Sequence, residues 1–146
     1  MLIDRNCLPG QYGDVTTPFD DPQAELAWMF LQCFSDSGDL DECFALLGDD
    51  FTYWSIVDGK QVDKKKLRRE IERRKRHVEI DLDFIQCLND GESVVVEALG
   101  HGTTADGRRY DSPYVFIFET CDGAITALRE YSDTRLAAHL FDGADP

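Results

Sequence analysis

Two oppositely charged residues stand side by side in the segment AITALREYSD, residues 124–133, near the end of the 146-residue chain. The segment is rich in residues that favour β-strands, and successive side chains of a strand point to opposite faces of the sheet. Only one of Arg129 and Glu130 can therefore face the interior. A carboxyl group enclosed in an apolar site has a raised pKa, which suits it to exchange protons near neutral pH. If Glu130 is the inward residue, this strand carries a candidate catalytic acid or base.

Alternation of apolar and polar residues predicts an antiparallel sheet around that segment. Residues 77–87, HVEIDLDFIQC, place apolar side chains on one face of a strand and acidic side chains on the other, as expected of a half-buried strand. Turn sequences containing Asp-Gly follow at 89–91, 105–107 and 121–123. Because such sequences favour tight hairpins, we expect the second half of the chain to form a four-stranded β-meander.

Helical patterns dominate the first half of the chain. A helix is expected to begin near Pro22, after an aspartate cap, and to end before Gly38. Asp39 is expected to cap a second helix that ends at Gly48, and residues 64–76, KKKLRREIERRKR, predict a third.

One strand is expected among these helices, at residues 51–57, FTYWSIV, which are rich in aromatic and β-branched residues. Residues 134–141 are expected to add a last helical turn or two. The chain is therefore expected to be an α+β protein, with two to three N-terminal helices packed on one face of an antiparallel sheet. We assign residues 19–146 to one domain and residues 1–18 to a loosely attached arm, in which Tyr12 is a candidate plug for a pocket.

Composition favours a globular protein that binds neither nucleic acid nor a membrane. The chain is 42% hydrophobic and carries a net charge of −14, which repels polyanions. It contains no apolar run of the ~18 residues that a membrane span needs, and its first residues do not resemble a signal peptide. Five widely spaced cysteines form no C-x-x-C pair, which argues against a structural zinc site and a disulfide framework. We therefore expect a cytoplasmic protein without a bound metal.

The basic segment 64–76 departs from this acidic composition. It carries a charge of +7 and leaves −21 for the rest of the chain. One interpretation is a surface that binds an anion or an acidic partner. The other, which the sequence alone favours, is a solvated helix whose long side chains cover apolar surface while their cations offset the acidic body.

The sequence resembles the nuclear transport factor 2-like superfamily, and within it the SnoaL-like branch, over roughly residues 20–141. The segments LLGDDFTYW and GHGTTADGRRYDSPYVFIFETCDGAITALREYSD carry the resemblance. Polyketide cyclases, ketosteroid isomerases and limonene epoxide hydrolases belong to this group. The resemblance implies a cone-shaped fold, in which a strongly bent sheet wraps around the helices and encloses an apolar cavity. It also implies a small apolar ligand, no cofactor, and a homodimer formed through the outer face of the sheet.

Compared with the epoxide hydrolases, the last hairpin matches without gaps, and Glu130 falls where those enzymes place a cavity carboxylate. Thr126 and Leu128 then share the cavity side with Glu130, and Arg129 points outward. The same comparison directs alternate side chains of the two preceding strands inward. They are Glu97, Leu99, His101, Ser112, Tyr114, Phe116 and Phe118.

Other positions depart from the enzymes of this group. Tyr53 and Ser55 fall where the hydrolases carry a Tyr and an Asn that hold the attacking water. Those enzymes also need an Arg and an Asp two residues apart on the middle strand, where this chain has Glu97 and Leu99. The base and the oxyanion-hole acid of ketosteroid isomerases would fall near Ser55 and Val115, neither of which carries a carboxyl group. The sequence therefore predicts the cavity of this group with different chemistry.

The expected cavity residues suggest acid–base catalysis. Glu97 and Glu130 in one dry cavity could not both ionise cheaply, which would leave a protonated acid beside a charged base. His101 would be a second proton carrier, and Tyr53 or Tyr114 would donate a hydrogen bond to a developing oxyanion. The expected substrate contacts are Trp28, Ser55, Leu99, Ser112, Tyr114, Phe116 and Leu128.

The same residues also have purely structural interpretations. A register error of one residue would turn Glu97 outward, and Gly100 and Gly102 could mark a bulge that re-aims His101. The tyrosines could be core residues, and Trp54, like Trp28, is expected in the core or the cavity lining.

Two classes of function remain open at this point. The first is a small, cofactor-independent isomerase, cyclase or lyase that acts on an apolar carbonyl compound. The second is a non-catalytic ligand-binding or assembly subunit of the same fold. Replacement of Glu130 would remove activity in the first case and change little in the second.

Overall fold

The computed structural model of the protein describes residues 21–35 and 38–141, the last two of these without their side chains. The expected N-terminal arm at residues 1–18, with Tyr12, lies outside the described residues. Within them, no helix is both long enough and apolar enough to cross a membrane.

Each helix in the described part of the chain begins after an aspartate whose carboxylate accepts hydrogen bonds from the first turn. These aspartates are Asp21, Asp39, Asp63 and Asp133. The helices are α1 (Pro22–Leu31), which a 3-10 turn extends to Phe34, α2 (Leu40–Phe44), α3 (Lys64–Lys75) and α4 (Thr134–Phe141). Helix α2 ends at Phe44 rather than at Gly48, because Gly48 already lies in the first strand, where its neighbour Leu47 pairs with Ile125.

Six strands form one curved, unclosed sheet. They are β1 (Leu47–Ser55), β2 (Lys60–Val62), β3 (Val78–Asn89), β4 (Ser93–Thr104), β5 (Arg109–Cys121) and β6 (Ala124–Ser132), in the spatial order β2-β1-β6-β5-β4-β3. Strands β3 to β6 form the predicted antiparallel meander. Strand β1 starts four residues earlier than predicted and pairs in parallel with β6. The predicted α+β class, with helices on a bent sheet, is confirmed.

The core lies between the inner face of the sheet and the helices. Phe30 of α1 is fully buried, with ring centroids 6.1 Å from Phe34 and 6.3 Å from Phe51 and from Phe118. Aromatic packing therefore fills one end of the inner face. At the other end, inward side chains line a cavity.

Candidate active site

The hairpin between β5 and β6 decides which charged residue of β6 faces inward. It turns through Asp122 and Gly123, which both have positive φ, as in a two-residue type I′ turn. A regular ladder continued from this turn would pair the buried Phe116 with Arg129. An irregularity in β6 shifts the register by one residue, so that Phe116 pairs with Glu130. Because directly opposed residues share a face, Glu130 lies on the inner face and Arg129 on the outer one.

The irregularity is a bulge at Thr126. Ile125 pairs with Thr120, whereas Ala127 pairs with Glu119, so Thr126 is the additional residue. Ile125 is fully buried, while Thr126 is half-buried and donates its hydroxyl to the carbonyl oxygen of Glu119 at 3.2 Å. Thr126 does not line the cavity as expected, because simple alternation does not hold across a bulge.

A cavity of about 440 Å³ lies between the inner face of the sheet, α3 and α4, within the usual size range of small-molecule sites. Apolar side chains from the helices and β3 line much of it, including Phe34, Leu67, Ile71, Ile80, Leu82 and Ala137. The polar lining consists of Tyr53, Tyr110, Tyr114, Ser132, Asp58, Glu70, Glu130, Arg73 and Arg74. Val57, Asp58 and Arg73 are the exposed residues of this lining, and we refer to the part of the cavity that they line as its mouth.

Glu130 contributes a hydrogen-bonded carboxyl group to this cavity. The Tyr53 hydroxyl donates to its Oε1 at 2.7 Å, since the parallel pairing of β1 and β6 places both side chains on the inner face. Burial raises the pKa of Glu130 from 4.5 to about 6. The hydrogen bond from Tyr53 and the positive charge of Arg74 oppose this rise. The negative charges of Asp58 and Glu70 add to it. Such a carboxyl group is mostly ionised at neutral pH and is a stronger base than an exposed glutamate.

Three phenol groups in the cavity stay protonated at neutral pH. Burial, followed by the charge of Glu130, raises the pKa of Tyr53 and of Tyr114 well above the ordinary range. Burial also raises the pKa of Tyr110. Because the Tyr53 hydroxyl donates to Glu130, a bound molecule would receive a hydrogen bond from the Tyr110–Tyr114 pair, whose hydroxyls interact with each other.

Gly100 makes room for the ring of Tyr114. Strand pairing sets Gly100 opposite Ser112, and a Cβ atom on Gly100 would lie 2.7 Å from Cε2 of Tyr114. The Tyr114 ring also stacks on Phe116, with ring centroids 5.4 Å apart and an interplanar angle of 8°. The ring therefore cannot move aside without disturbing the core.

We expect Gly100→Ala to lower the free energy of unfolding by about 1–3 kcal/mol, because the added methyl group displaces a buried ring. Gly48→Ala in β1 is the matched control, since its Cβ atom would make only ordinary contacts, the nearest at 3.6 Å. Urea unfolding of the two variants measures the difference. Equal stabilities would show that Gly100 does not hold Tyr114 in position.

Helix α3 contributes Glu70, Arg73 and Arg74 to the cavity lining. It is therefore more than the solvated helix that the sequence alone favours. The buried residues of α3 are Leu67 and Ile71, and Glu70 and Arg74 each follow one of them by three positions. Residues with this spacing are neighbours on a helix surface, so the spacing is the sequence signal that could have assigned these two residues to the cavity.

The charged groups of α3 that line the cavity contact both other parts of the chain and residues of α3 itself. The guanidinium of Arg74 donates to the carbonyl oxygen of Val78 at 3.3 Å and to that of Phe34, whose ring lies 6.0 Å below it. Burial raises the pKa of Glu70, while Lys66, 4.0 Å away, opposes the rise. The cavity thus combines the fixed cation of Arg74 with carboxyl groups whose pKa values are raised.

Glu97, Leu99 and His101 lie on the outer face of the sheet, contrary to the sequence-based expectation. Pairing of β4 with β5 sets Glu97 opposite Val115 and His101 opposite Asp111. The alternate residues of β4 are the buried ones. None of the three expected residues lines the cavity.

The turn between β4 and β5 explains this error. A two-residue turn at 106–107 would pair Glu97 with the inward Phe116. The structure instead turns through three residues, 105–107, with a glycine of positive φ at the last position, and Glu97 pairs with Val115. One additional turn residue shifts the register by one and moves every side chain of β4 to the other face.

The outer-face residues have partners of their own. His101 Nε2 lies 2.8 Å from Asp83 Oδ2, and its Nδ1 lies 3.5 Å from Asp111 Oδ1. The Gln86 amide donates to Glu97 Oε1 at 2.8 Å. The expected proton-sharing pair of strand glutamates therefore does not form, and the other carboxyl groups of the cavity come from α3 and the mouth.

The remaining expected site residues divide between the core and the outer face. Four face inward but are buried in the core rather than lining the cavity, with the following exposed fractions: Ser55 5%, Ser112 0%, Phe116 0% and Leu128 1%. Trp28 packs edge-on against Phe84 at 5.2 Å and does not line the cavity. Trp54 packs against Tyr131 at 5.3 Å on the outer face rather than in the core. No cluster of His, Cys, Asp or Glu in the described ranges could hold a metal ion.

Three solved structures show the same fold at low sequence identity. A proposed polyketide cyclase from Xanthomonas campestris pv. campestris is 22% identical, with 78% of this chain and 92% of that chain covered and a TM-score of 0.69. An LEH-like epoxide hydrolase from M. tuberculosis is 23% identical, with 82% and 89% covered and a TM-score of 0.66. A protein with a ketosteroid isomerase-like fold from Catenulispora acidiphila, in complex with trimethylamine, is 15% identical, with 73% and 84% covered and a TM-score of 0.65.

The fold is that of the nuclear transport factor 2-like proteins. A family model described as the SnoaL-like domain matches residues 29–128, and the chain belongs to this family. No curated protein matches the sequence. The fold hosts different activities in its members, so the activity must be argued from the cavity residues.

Proposed function

We propose that the chain is a small enzyme in which Glu130 moves protons on an apolar carbonyl compound, in a reaction of the isomerase, cyclase or lyase type. The observation that carries the proposal is the Glu130 carboxyl group, which lines the cavity, accepts a hydrogen bond from Tyr53 at 2.7 Å and has a pKa raised to about 6. Membership of the SnoaL-like family and the fold shared with a proposed polyketide cyclase support this class of reaction.

In the first step, ionised Glu130 removes a proton from the carbon next to the substrate carbonyl. The C–H electron pair moves into the new C=C bond, and the negative charge passes from the carboxylate to the carbonyl oxygen. The Tyr110–Tyr114 pair would stabilise this enolate oxygen by donating a hydrogen bond, because both phenols stay protonated. The positive charge of Arg74, which also lines the cavity, stabilises the negative charge both on the Glu130 carboxylate and on the enolate oxygen.

Protonated Glu130 then completes one of three reactions. Return of the proton to a different carbon gives an isomerase. Attack of the enolate carbon on a second carbonyl of the same molecule, with the proton passed to the new alkoxide, gives a cyclase. Expulsion of a group from the β-carbon, with the proton passed to that group, gives a lyase. All three share the first step, so that step is the one to test.

Exchange of substrate protons for deuterium tests the shared first step without knowledge of the natural substrate. The protein is incubated in D2O with a panel of apolar ketones and β-diketones, and loss of the α-proton signal is followed by 1H NMR. We expect faster exchange than in buffer for at least one enolisable ketone, and no loss of the other C–H signals of the same ketone. Uncatalysed exchange across the panel would contradict the proposed reaction and favour a binding or assembly role.

We further infer that the enzyme is a homodimer formed through the outer face of the sheet. This face carries a band of half-buried apolar side chains, which includes Trp54, Leu99, Val115, Ile117 and Tyr131. Sedimentation equilibrium is expected to give twice the chain mass of 16.6 kDa, and Ile117→Asp, which places a charge within the band, is expected to give the monomer. A monomeric wild-type protein would contradict the inference.

A further inference from the structure

Positive charge is concentrated on one helix of an otherwise acidic protein. Residues 64–76 carry +7, whereas the rest of the chain carries −21. The net charge of the rest of the chain repels an approaching anion, whereas that of residues 64–76 attracts it. Such an asymmetry steers charged molecules during diffusion and raises their association rates.

The exposed cations of α3 lead to the mouth of the cavity. Lys65, Arg69 and Arg73 are exposed and follow one another at intervals of four residues, so they form one row with steps of about 6 Å along the helix axis. Arg73 is both the end of this row and part of the cavity lining. The row therefore runs along the surface into the site.

One other cation of α3, Arg68, is neutralised within the protein. Arg68 pairs with Asp41 at 2.8 Å and with Glu72 at 3.7 Å. By contrast, no carboxylate lies within ion-pair distance of Lys65 or Arg69 in the part of the chain that the structure describes. Lys65 and Arg69 thus carry positive charge without an ion pair on the side that leads to the mouth, although Glu70 and Asp58 also lie near Arg73.

We propose that the cavity takes an amphipathic anion, a molecule with an apolar carbonyl-bearing body and one carboxylate or sulfonate-like group, and that the row of Lys65, Arg69 and Arg73 captures and steers it into the mouth. The apolar body would contact Ile80 and Leu82 on the sheet. The anionic group would stay near Arg73, away from the negative charge of Glu130. This inference rests on the proposed function in two respects: it takes the same cavity as the substrate site, and it takes the carbonyl group of the ligand from the proposed reaction.

Two fluorescent probes with the same aromatic skeleton test the proposal. 8-Anilinonaphthalene-1-sulfonate carries one negative charge, and N-phenyl-1-naphthylamine carries none. Stopped-flow fluorescence gives the association and dissociation rate constants of each probe. The cavity-filling variant Leu82→Trp should weaken the binding of both probes, which locates them in the cavity.

The steering row is removed with Lys65→Gln/Arg69→Gln. At about 10 mM ionic strength we expect this double variant to bind the sulfonate at least about fivefold more slowly, with little change in the dissociation rate constant. At about 0.5 M salt the difference should disappear, because the charges are then screened. Association of the neutral probe should be unchanged at both salt concentrations, which also shows that the variant is folded.

Arg109→Gln/Arg129→Gln is the matched control. It removes the same net charge from the outer face of the sheet, where both arginines make ion pairs. We expect it to leave sulfonate association within about 1.5-fold of the wild-type rate, since the arginines lie on the other side of the sheet from the cavity. Equal slowing by the two double variants, or equal behaviour of the two probes, would overturn the proposal.

Because no turnover is measured, a failed deuterium-exchange screen would contradict the proposed reaction and leave this result standing.

Discussion

Glu130→Gln is expected to reduce ketone α-proton exchange by about 10²- to 10⁴-fold, the usual contribution of a general base. Glutamine has the same shape and can still accept the hydrogen bond from Tyr53, but it cannot accept a proton from carbon. The measurement is the NMR exchange rate with the best ketone of the panel. Glu97→Gln is the matched control. Glu97 belongs to β4, faces the outer side of the sheet and does not line the cavity.

Stability measurements separate loss of the base from loss of the fold. The pKa of Glu130 is about 6 in the folded protein, against an ordinary value of 4.5, so the folded state binds this proton more tightly than the unfolded chain. This group therefore lowers the free energy of unfolding of the wild type by about 2 kcal/mol as the pH rises from below 4.5 to above 6. Relative to the wild type, Glu130→Gln should gain about that amount between these pH values in urea unfolding. A variant that is stable but fully active would contradict the role of Glu130.

The pH dependence of exchange is the second large effect that we expect. A base must be ionised to act, so kcat/KM should fall about tenfold per pH unit below the pKa of Glu130, about 6, and level off above it. Tyr53→Phe should move this inflection to higher pH, because the hydrogen bond from Tyr53 lowers the pKa of Glu130. The profile is measured with the same ketone across about pH 4 to 9. A rate that falls above pH 6 instead would mean that Glu130 acts as the acid, and an inflection near 4.5 would mean that an exposed carboxylate is responsible.

The sequence is sufficient for most elements of the fold because their signals are local, but it did not predict the short strand β2. The aspartate caps of α1 and α2 and the Asp-Gly turns each depend on a few adjacent residues. The partner of β1 is not a local property, since its parallel pairing with β6 joins residues more than 70 positions apart.

The faces of the strands depend on single residues in turns and bulges. For β6, the turn alone would direct Arg129 inward, and only the bulge at Thr126 reverses this; the family resemblance supplied the inward position of Glu130 that local patterns could not. For β4, the length of the turn at 105–107 was decisive, and Glu97 and His101 were assigned to the wrong face.

The sequence did contain a signal for β4 that was interpreted differently. Gly100 and Gly102, which flank His101, face inward, where a Cβ atom on either would meet other atoms at less than 3 Å. Glycines at alternate positions therefore marked the crowded inner face rather than a bulge. A histidine between them had to point outward. The sequence signal for α3 was also misinterpreted. The many cations of this helix suggested that it is solvated, although some of its residues line the cavity.

The pKa of the Glu130 carboxyl group is the measurement that decides whether this residue is the proton-handling group of the cavity. Protein labelled with 13C at the glutamate side-chain carboxyl groups is titrated by NMR, and the spectrum of Glu130→Gln assigns the signal. We predict an inflection near pH 6, which moves higher in Tyr53→Phe. A Glu130 signal that titrates near 4.5, with no response to Tyr53→Phe, would contradict both the enclosed site and the proposed chemistry.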